Sequence, residues 1–247
     1  MVLKKNERID NLQCHGLMLI QNAKLYKFTT DSVLLANFAK AKRDDVVCEF
    51  CAGSGVVSLL IEAKNKCKKI YEIEIQKEVY NLAKRNITLN NLDNRIEAIH
   101  CDATEAKQYI KEEVDVLVMN PPYFSNAGFI NESKTITKSR HEEVSLNGLI
   151  KSASKVLKFG GKLYMVQKVD RLVDTVSSLR ENKIEPKVIR FVQPKASKPT
   201  HIFLVEGIKG GQGGIKVLNP LILLNEDNTE TEEVKEIYNR RWKASYL

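Results

Sequence analysis

An amide, two prolines and two aromatic rings stand next to one another in the residues Asn120, Pro121, Pro122, Tyr123 and Phe124. The apolar run before them, residues 114–119, predicts a buried strand, and consecutive prolines must end it because they cannot donate to a sheet ladder. The Asn120 side-chain oxygen and the Pro121 carbonyl are hydrogen-bond acceptors, and the tyrosine ring offers a stacking face. This set suits a flat group that carries an NH2. Taken alone, the segment is equally well explained as a strand that ends in a proline turn.

A glycine-rich turn between a strand and a helix is the second candidate. Residues 46–50 predict a buried strand, residues 56–64 predict an apolar helix, and between them lie Cys51, Ala52, Gly53, Ser54 and Gly55. The two glycines allow the backbone to approach a ligand closely, and the N–H groups at the helix start face it. Many tight strand-to-helix turns contain a GxG, so the motif by itself is a weak indication.

Acidic residues end the next two predicted strands. Residues 70–74 predict a strand that ends in Glu74, 19 residues after Gly55, and residues 95–101 predict one that is followed by Asp102. An acidic residue about 20 positions past a glycine-rich turn is where doubly wound folds bind ribose hydroxyls; a solvated carboxylate is the alternative. Asp102 is a candidate helix cap, a partner of an adenine amino group, or both. Because ligands bind beyond the carboxyl ends of parallel strands, we expect these groups and Asn120 to share one cleft.

The elements that must position these groups are predicted from apolar periodicity. Residues 17–28 alternate around Gln21-Asn22-Ala23, which indicates a short hairpin or two edge strands, and a helix capped by Thr or Asp follows from about residue 30. Further helices are predicted at 146–157 and 171–181, with Gly160-Gly161 as a helix C-cap before a strand at 162–167. Strands at 186–192 and 201–206 predict an antiparallel pair. No periodicity is clear over residues 124–146, and a loop of this length at a cleft is more often functional than idle.

The loop between the last two strands is basic. Residues 183–200 contain five basic residues and one acidic residue, and Lys195 and Lys198 are candidates for contacts with backbone phosphates. Residues 210–214 pair glycines around one Gln but lack the Lys-Ser/Thr of a phosphate loop, so we interpret them as a linker before a charged helical tail. The predicted organisation is an N-terminal extension (1–42), a core domain (43–207) and a C-terminal tail (208–247).

Composition narrows the class of protein. The 247 residues are 43% hydrophobic and 28% charged, with a net charge of +8, which favours an anionic partner such as nucleic acid. No apolar N-terminal region or run of ~20 apolar residues is present, so we expect a cytoplasmic protein with no membrane contact. The five cysteines are scattered, and the CxxC of Cys48 and Cys51 lacks a second ligand pair, so neither a disulfide framework nor a metal site is expected.

Two of these motifs resemble those of a known family. Residues 49–55 resemble motif I of class I S-adenosylmethionine-dependent methyltransferases, and residues 120–123 resemble the NPPY motif of amino methyltransferases. Residues 27–35, 52–60, 140–142 and 203–211 are similar to the tRNA1(Val) adenine-37 N6-methyltransferase family, and the resemblance covers nearly the whole chain. Cys51 departs from it, because many class I enzymes have Gly there.

The resemblance implies an α/β, Rossmann-like class I methyltransferase fold: a seven-stranded, mostly parallel sheet with an antiparallel C-terminal hairpin and helices on both faces. It implies S-adenosylmethionine as cofactor, held by Thr30, Asp31, Glu49, Cys51, Ala52, Gly53, Gly55, Glu74, Ile75, Asp102, Ala103 and Asn120. The catalytic residues implied are Asn120, Pro121, Pro122 and Tyr123. The partner is the anticodon stem-loop of a tRNA, which we expect a monomer to contact through Tyr123, Phe124, Arg140, His141, Lys195 and Lys198.

Other functions use similar motifs. NPPY enzymes also methylate guanine N2 or adenine N6 in rRNA and glutamine in release factors. Release-factor enzymes usually carry an extra N-terminal helical domain, whereas about forty residues precede motif I here. A non-catalytic RNA-binding module on this fold is a further alternative, against which the intact set of glycines, carboxylates and Asn120 argues. A nicotinamide dehydrogenase is disfavoured because the turn lacks GxGxxG.

Overall fold

The computed structural model describes residues 2–25, 29–122 and 145–239. The strands are β1 (Glu7–Asn11), β2 (Met18–Asn22), β3 (Val46–Phe50), β4 (Lys69–Glu74), β5 (Ile96–His100), β6 (Val114–Met119), β7 (Leu157–Lys168), β8 (Ile184–Gln193), β9 (Ile202–Lys209) and β10 (Lys216–Ile222). The helices are α1 (Thr30–Phe38), α2 (Val56–Asn65), α3 (Lys77–Leu89), α4 (Ala106–Tyr109), α5 (Leu146–Val156), α6 (Leu172–Glu181) and α7 (Glu232–Asn239).

Eight of these strands form one mixed sheet in the order β10-β8-β9-β7-β6-β3-β4-β5. Neighbouring strands within the segment β7-β6-β3-β4-β5 are all parallel, and β9 runs antiparallel to both β7 and β8. The predicted Rossmann-like sheet with a C-terminal antiparallel hairpin is thus confirmed. An eighth strand, β10, adds to the predicted seven by pairing parallel to β8, and Pro220 lies at its register shift, as expected of an edge strand.

The sheet is covered on both faces. Along β3, Val47 belongs to the apolar cluster that includes residues of α1, α2 and α7, whereas its neighbour Cys48 belongs to the cluster with α4, α5 and α6. Successive side chains of a strand point to opposite faces, so a strand buried on both faces is apolar throughout. This explains why the core strands appear in the sequence as short continuous apolar runs. In the described parts of the chain, no helix has the length and apolarity that crossing a membrane requires.

The N-terminal hairpin differs from the prediction. Its strands are β1 and β2, which pair Glu7 with Asn22, so its connection lies at residues 12–17 and not around residues 21–23. His15 and Gly16 both have positive φ angles in that connection, and the Leu12 N–H donates to the Leu17 carbonyl. The polar Gln21-Asn22-Ala23 segment suggested a turn, but it ends the second strand of the hairpin.

Gly160 and Gly161, which the sequence predicts to form a helix C-cap, have a different role in the structure. Helix α5 begins after Ser145, whose hydroxyl accepts from the Gly148 N–H, and it ends at Val156, so β7 begins at once and contains both glycines. Gly160 has a φ of 76°, and the register of β7 against β6 shifts beside it. The positive φ of a glycine permits such an irregularity inside a strand, so the pair is part of a bulge and not a helix cap.

Candidate active site

The sheet order brings the predicted site residues to one edge. Strands β6, β3, β4 and β5 are adjacent and parallel, so their carboxyl ends lie side by side. The glycine-rich turn follows β3, Glu74 ends β4, Asp102 follows β5 and Asn120 follows β6. The structure therefore brings these groups to one edge of the sheet, as the sequence predicts.

The turn after β3 contains three left-handed residues and is held by backbone hydrogen bonds. Cys51, Gly53 and Gly55 have φ angles of 57°, 59° and 82°. The Ala52 N–H donates to the Ile73 carbonyl at 3.0 Å, which ties the turn to β4. Gly55 is the N-cap of α2 and contributes no capping side chain. The N-cap therefore leaves the start of the helix without a hydrogen bond from its own side chain, at a position where backbone N–H groups and the helix dipole favour an anionic ligand group.

Glu74 connects the turn to the end of β4. Its side chain accepts from the Gly53 N–H at 2.9 Å and from the Gln76 N–H at 2.8 Å. It is 6% exposed, and burial raises its pKa although these backbone N–H groups act in the opposite direction. A carboxylate has about four acceptor positions, so two bonds to the backbone leave capacity for a ligand.

Two further carboxyl groups lie beneath the glycine-rich turn. Glu49 and Glu72 are opposite each other on β3 and β4 and are 2% and 1% exposed. The Ser58 N–H and hydroxyl of α2 donate to Glu49 Oε2 at 2.9 and 2.5 Å. Neither carboxyl oxygen of Glu72 has a hydrogen-bond partner within the described residues, and a Cβ at Gly55 would lie 2.8 Å from its Oε1.

Burial is the largest influence on both groups. It raises the pKa of Glu72 to about 8, against the effect of the nearby Ser58 hydroxyl, which donates to Glu49 and not to Glu72. Burial likewise raises the pKa of Glu49, which the adjacent Glu72 raises further. At a given pH these two groups therefore bind their protons more tightly than exposed carboxyl groups do. Sequence reasoning missed Glu72, although a charged residue between Tyr71 and Ile73 on a buried strand is a detectable signal.

Asp102 caps the short 3-10 helix at residues 103–105. Its Oδ1 accepts from the N–H and from the hydroxyl of Thr104, both at 2.8 Å, so the cap interpretation is confirmed. Ala103 is buried, and its carbonyl accepts from the Ser152 hydroxyl. Ile75 is 43% exposed at the same edge, and its carbonyl lies 2.9 Å from His100 Nε2.

Asn120 is half-buried where β6 ends, followed by a buried Pro121 and an exposed Pro122. Its Nδ2 donates to the Ser32 hydroxyl of α1 at 3.2 Å. This contact brings the first turn of α1, with Thr30 and Asp31, to the edge where the strands end. Thr29 occupies the N-cap position, as predicted, but its side chain makes no capping bond.

The predicted substrate residues are described only in part. Loop 194–201 joins β8 to β9, and β9 begins opposite the end of β7, so the loop lies at the same edge of the sheet as the glycine-rich turn. Lys198 is exposed, and the half-buried Lys195 donates to the Glu226 carbonyl at 2.9 Å. The predictions for Tyr123, Phe124, Arg140 and His141 fall outside the described residues.

Metal and disulfide chemistry find no support in this part of the structure. Among the residues described, no group of three or more His, Cys, Asp or Glu side chains could hold a metal ion. Cys48 and Cys51 of the CxxC carry free thiols. Burial raises the pKa of both, and neighbouring carboxylates act in the same direction, which disfavours the reactive thiolate.

Known proteins are similar to this chain in sequence and architecture. The model of the TRM5/TYW2 methyltransferase domain matches residues 32–144. The tRNA1(Val) (adenine(37)-N6)-methyltransferase of Parabacteroides distasonis is 25% identical over 183 residues, covering 73% of this chain and 76% of that protein. The protein of the same name from Christiangramia forsetii is 22% identical over 214 residues, covering 85% and 88%. Alignments with curated relatives span from about a third to nearly nine tenths of those proteins.

Solved structures show the same fold. The chain superposes on a predicted O-methyltransferase, Atu636 from Agrobacterium tumefaciens, with a TM-score of 0.71 and 20% identity, covering 86% of this chain and 97% of that one. The tRNA m1G37 methyltransferase of Methanocaldococcus jannaschii gives a TM-score of 0.60 and 20% identity, covering 86% and 59%.

Fold, strand-end site and the match of residues 32–144 to a methyltransferase family model together give the chain the architecture of a Rossmann-like, S-adenosylmethionine-dependent methyltransferase. Within that class, the chain resembles in particular the tRNA1(Val) (adenine(37)-N6)-methyltransferases, the family that its motifs predicted.

Proposed function

We propose that the chain transfers the methyl group of S-adenosylmethionine to N6 of an adenine in tRNA, at position 37 beside the anticodon of a valine tRNA. The observation that carries this proposal is the position of Asn120 and Pro121. They end β6, which is hydrogen-bonded to β3, the strand that leads into the glycine-rich turn. Two acceptors for an amino group thus lie next to the turn expected to hold the methyl donor. The names of the curated relatives support the choice of tRNA.

The geometry of the turn fits the cofactor. In the first turn of helix α2 the Ser58 N–H donates to Glu49, so the carboxylate of the methionine part, which passes Gly53 and Gly55, binds the N–H groups of Val56 and Val57. Glu74 binds the ribose hydroxyls with its remaining acceptor capacity. The other proposed contacts surround these groups: Glu49, Cys51 and Ala52 shape the turn, Ile75, Asp102 and Ala103 lie by the adenine, and Thr30 and Asp31 close the site from α1.

The chemistry requires alignment more than a strong base. Adenine N6 is conjugated with its ring and is a poor nucleophile, while the cofactor supplies an electrophilic methyl group. Asn120 Oδ1 and the Pro121 carbonyl accept the two N6 hydrogens, which favours a pyramidal nitrogen and places two dipoles beside the developing positive charge. Pro122 stiffens the backbone that carries these acceptors. Tyr123 stacks on the base.

An RNA loop is a suitable substrate for this arrangement. Loop bases are already partly unstacked, and stacking on an aromatic ring offsets much of the remaining cost. Lys195 and Lys198 lie at the site edge and contact the phosphates of the anticodon stem-loop, with Phe124, Arg140 and His141 as further contacts. The protein acts as a monomer in the cytoplasm.

Mass spectrometry of tRNA incubated with the protein and methyl-labelled cofactor tests this function. Labelled N6-methyladenosine 3′ of a valine anticodon is expected, and label in guanine, in rRNA or in a release-factor glutamine would refute the substrate. Asn120→Ala is expected to retain cofactor binding, measured by calorimetry, while transfer falls on the order of 10²-fold. Asn81→Ala, on the exposed side of α3, is the matched control and should transfer at the wild-type rate. Full activity of Asn120→Ala would exclude the mechanism.

A further inference from the structure

The proposed methyl transfer requires one particular orientation of the Asn120 amide, and the motif alone does not determine that orientation. An asparagine amide has two nearly isosteric orientations, one of which presents an oxygen and the other an NH2. A substrate amino group needs the oxygen, because an NH2 facing an NH2 places two donors together. A hydrogen bond from the amide nitrogen to the protein is one physical means of fixing the productive orientation.

Ser32 provides that bond. Its Oγ lies 3.2 Å from Asn120 Nδ2, and the two residues are 88 positions apart in the sequence. Ser32 is 4% exposed, so little water competes for its hydroxyl. With one hydrogen of the amide nitrogen engaged in this way, Nδ2 faces α1, and Oδ1 is the acceptor that the amide offers to the substrate.

Helix α1 holds Ser32 in place. Residues 32–36 are all buried, and the ring of Phe38 at the helix end packs edge-on against Tyr164 of β7 at 5.7 Å. Lys64 of α2 donates to the Asn37 carbonyl at 3.1 Å. The helix is therefore fixed to the sheet and to α2, and it can position an atom of the active site.

We infer that Ser32 is a positioning residue for methyl transfer, whose hydroxyl accepts from Asn120 Nδ2 and so directs Oδ1 to the substrate amine. The inference rests on the proposed role of Asn120. It makes the N-terminal segment part of the catalytic apparatus, in addition to any cover it provides for the cofactor. Losing one hydrogen bond of this kind is expected to lower kcat about tenfold, equivalent to ~1.4 kcal/mol of barrier.

Kinetics of three serine variants separate positioning from stability. Ser32→Ala is expected to lower kcat about tenfold with unchanged cofactor affinity, and Ser32→Thr, which keeps the hydroxyl, is expected to restore most of the rate. Ser154→Ala is the matched control, since it too removes a hydrogen-bonded helical hydroxyl, one that lies on α5 and donates to the Asn182 carbonyl. In an Asn120→Ala background, Ser32→Ala should cost less than about twofold more, because it acts through the amide. Additive losses, or a wild-type rate in Ser32→Ala, would overturn the inference.

A measurement without substrate keeps this inference separate from the proposed function. In nitrogen-15 NMR spectra, the Asn120 side-chain NH2 signals are identified by their absence in Asn120→Ala. We expect these signals to shift in Ser32→Ala toward positions of a solvated amide and to stay near wild-type positions in Ser32→Thr. Unchanged signals in Ser32→Ala would refute the contact. A wild-type protein that methylates no tRNA would refute the proposed function, and the NMR result would still decide the role of Ser32.

Discussion

Glu72→Gln is expected to stabilise the protein, and more so as the pH rises. Glu72 is 1% exposed, neither of its carboxyl oxygens has a hydrogen-bond partner among the described residues, and Glu49 lies opposite it. A glutamine has nearly the same volume and no charge. It therefore removes the cost of ionising a buried carboxyl group without creating a cavity.

The raised pKa sets the size and the pH range of the effect. Folding raises the pKa of Glu72 from 4.5 to about 8, so its contribution to stability is present below the unfolded value and is lost as the pH rises through 8. One pKa unit corresponds to about 1.4 kcal/mol, which bounds the total loss at ~5 kcal/mol. Glu49 and Glu72 share the titration, so we expect a gain of about 2 kcal/mol for Glu72→Gln at pH 8 and close to none at pH 4.5.

Urea unfolding followed at several pH values between 4.5 and 9 measures this difference. Glu113→Gln, an exposed substitution before β6, is the control and should change the free energy of unfolding by less than about 0.5 kcal/mol at every pH. The stability difference between Glu72→Gln and wild type should grow steadily with pH. A difference that stays constant, or a variant that is less stable at pH 8, would refute the interpretation of Glu72 as a protonated buried acid.

Three further outcomes are expected. In urea unfolding, Gly55→Ala should destabilise the protein by about 2 kcal/mol more than Gly16→Ala. Both glycines have positive φ angles, but a Cβ at Gly55 would meet a carboxyl oxygen of Glu72, whereas a Cβ at Gly16 would have no atom within 4 Å. Equal losses would contradict this. Asn86→Ala should lower the free energy of unfolding by about 3 kcal/mol, because the buried amide bonds to the N–H and the carbonyl of Ile20 in β2 and to the Ser54 carbonyl of the glycine-rich turn. Near-neutral stability would argue against that role. Replacing Lys195 and Lys198 together by alanine should weaken tRNA binding. The slope of log Kd against log salt concentration, measured by filter binding, should fall by the amount that corresponds to about one to two phosphate contacts. An unchanged slope would exclude these lysines from the interface.

Local patterns predicted most of the sheet and the site edge. Short apolar runs followed by Gly53, Glu74, Asp102 and Asn120 identify four strand ends, and the parallel arrangement of those strands then requires the four ends to meet. Each of these signals lies within a few residues of its strand. For that reason, one sequence is enough to predict them.

Other features depend on backbone irregularities that the residue types permit but do not require. Gly160 was expected in a helix cap and lies in a β-bulge, because the pairing of β7 with β6 decides which use is made of its positive φ. The N-terminal hairpin likewise takes its register from a connection at residues 12–17, where His15 and Gly16 adopt left-handed conformations. Strand β10 pairs with β8 and takes the edge position that β8 would otherwise have.

The sequence by itself determined which groups follow the strands: an acceptor pair at Asn120 and Pro121, which we propose binds the substrate amine, and a glycine-rich turn, which we propose holds the cofactor. Only the tertiary structure decided how the amide is oriented and what lies beneath the turn. Ser32 reaches Asn120 across 88 residues, and Glu72 lies under Gly55 because β3 and β4 pair in one register. Contacts between distant segments leave no periodicity or spacing in the chain, since they depend on the packing of whole elements.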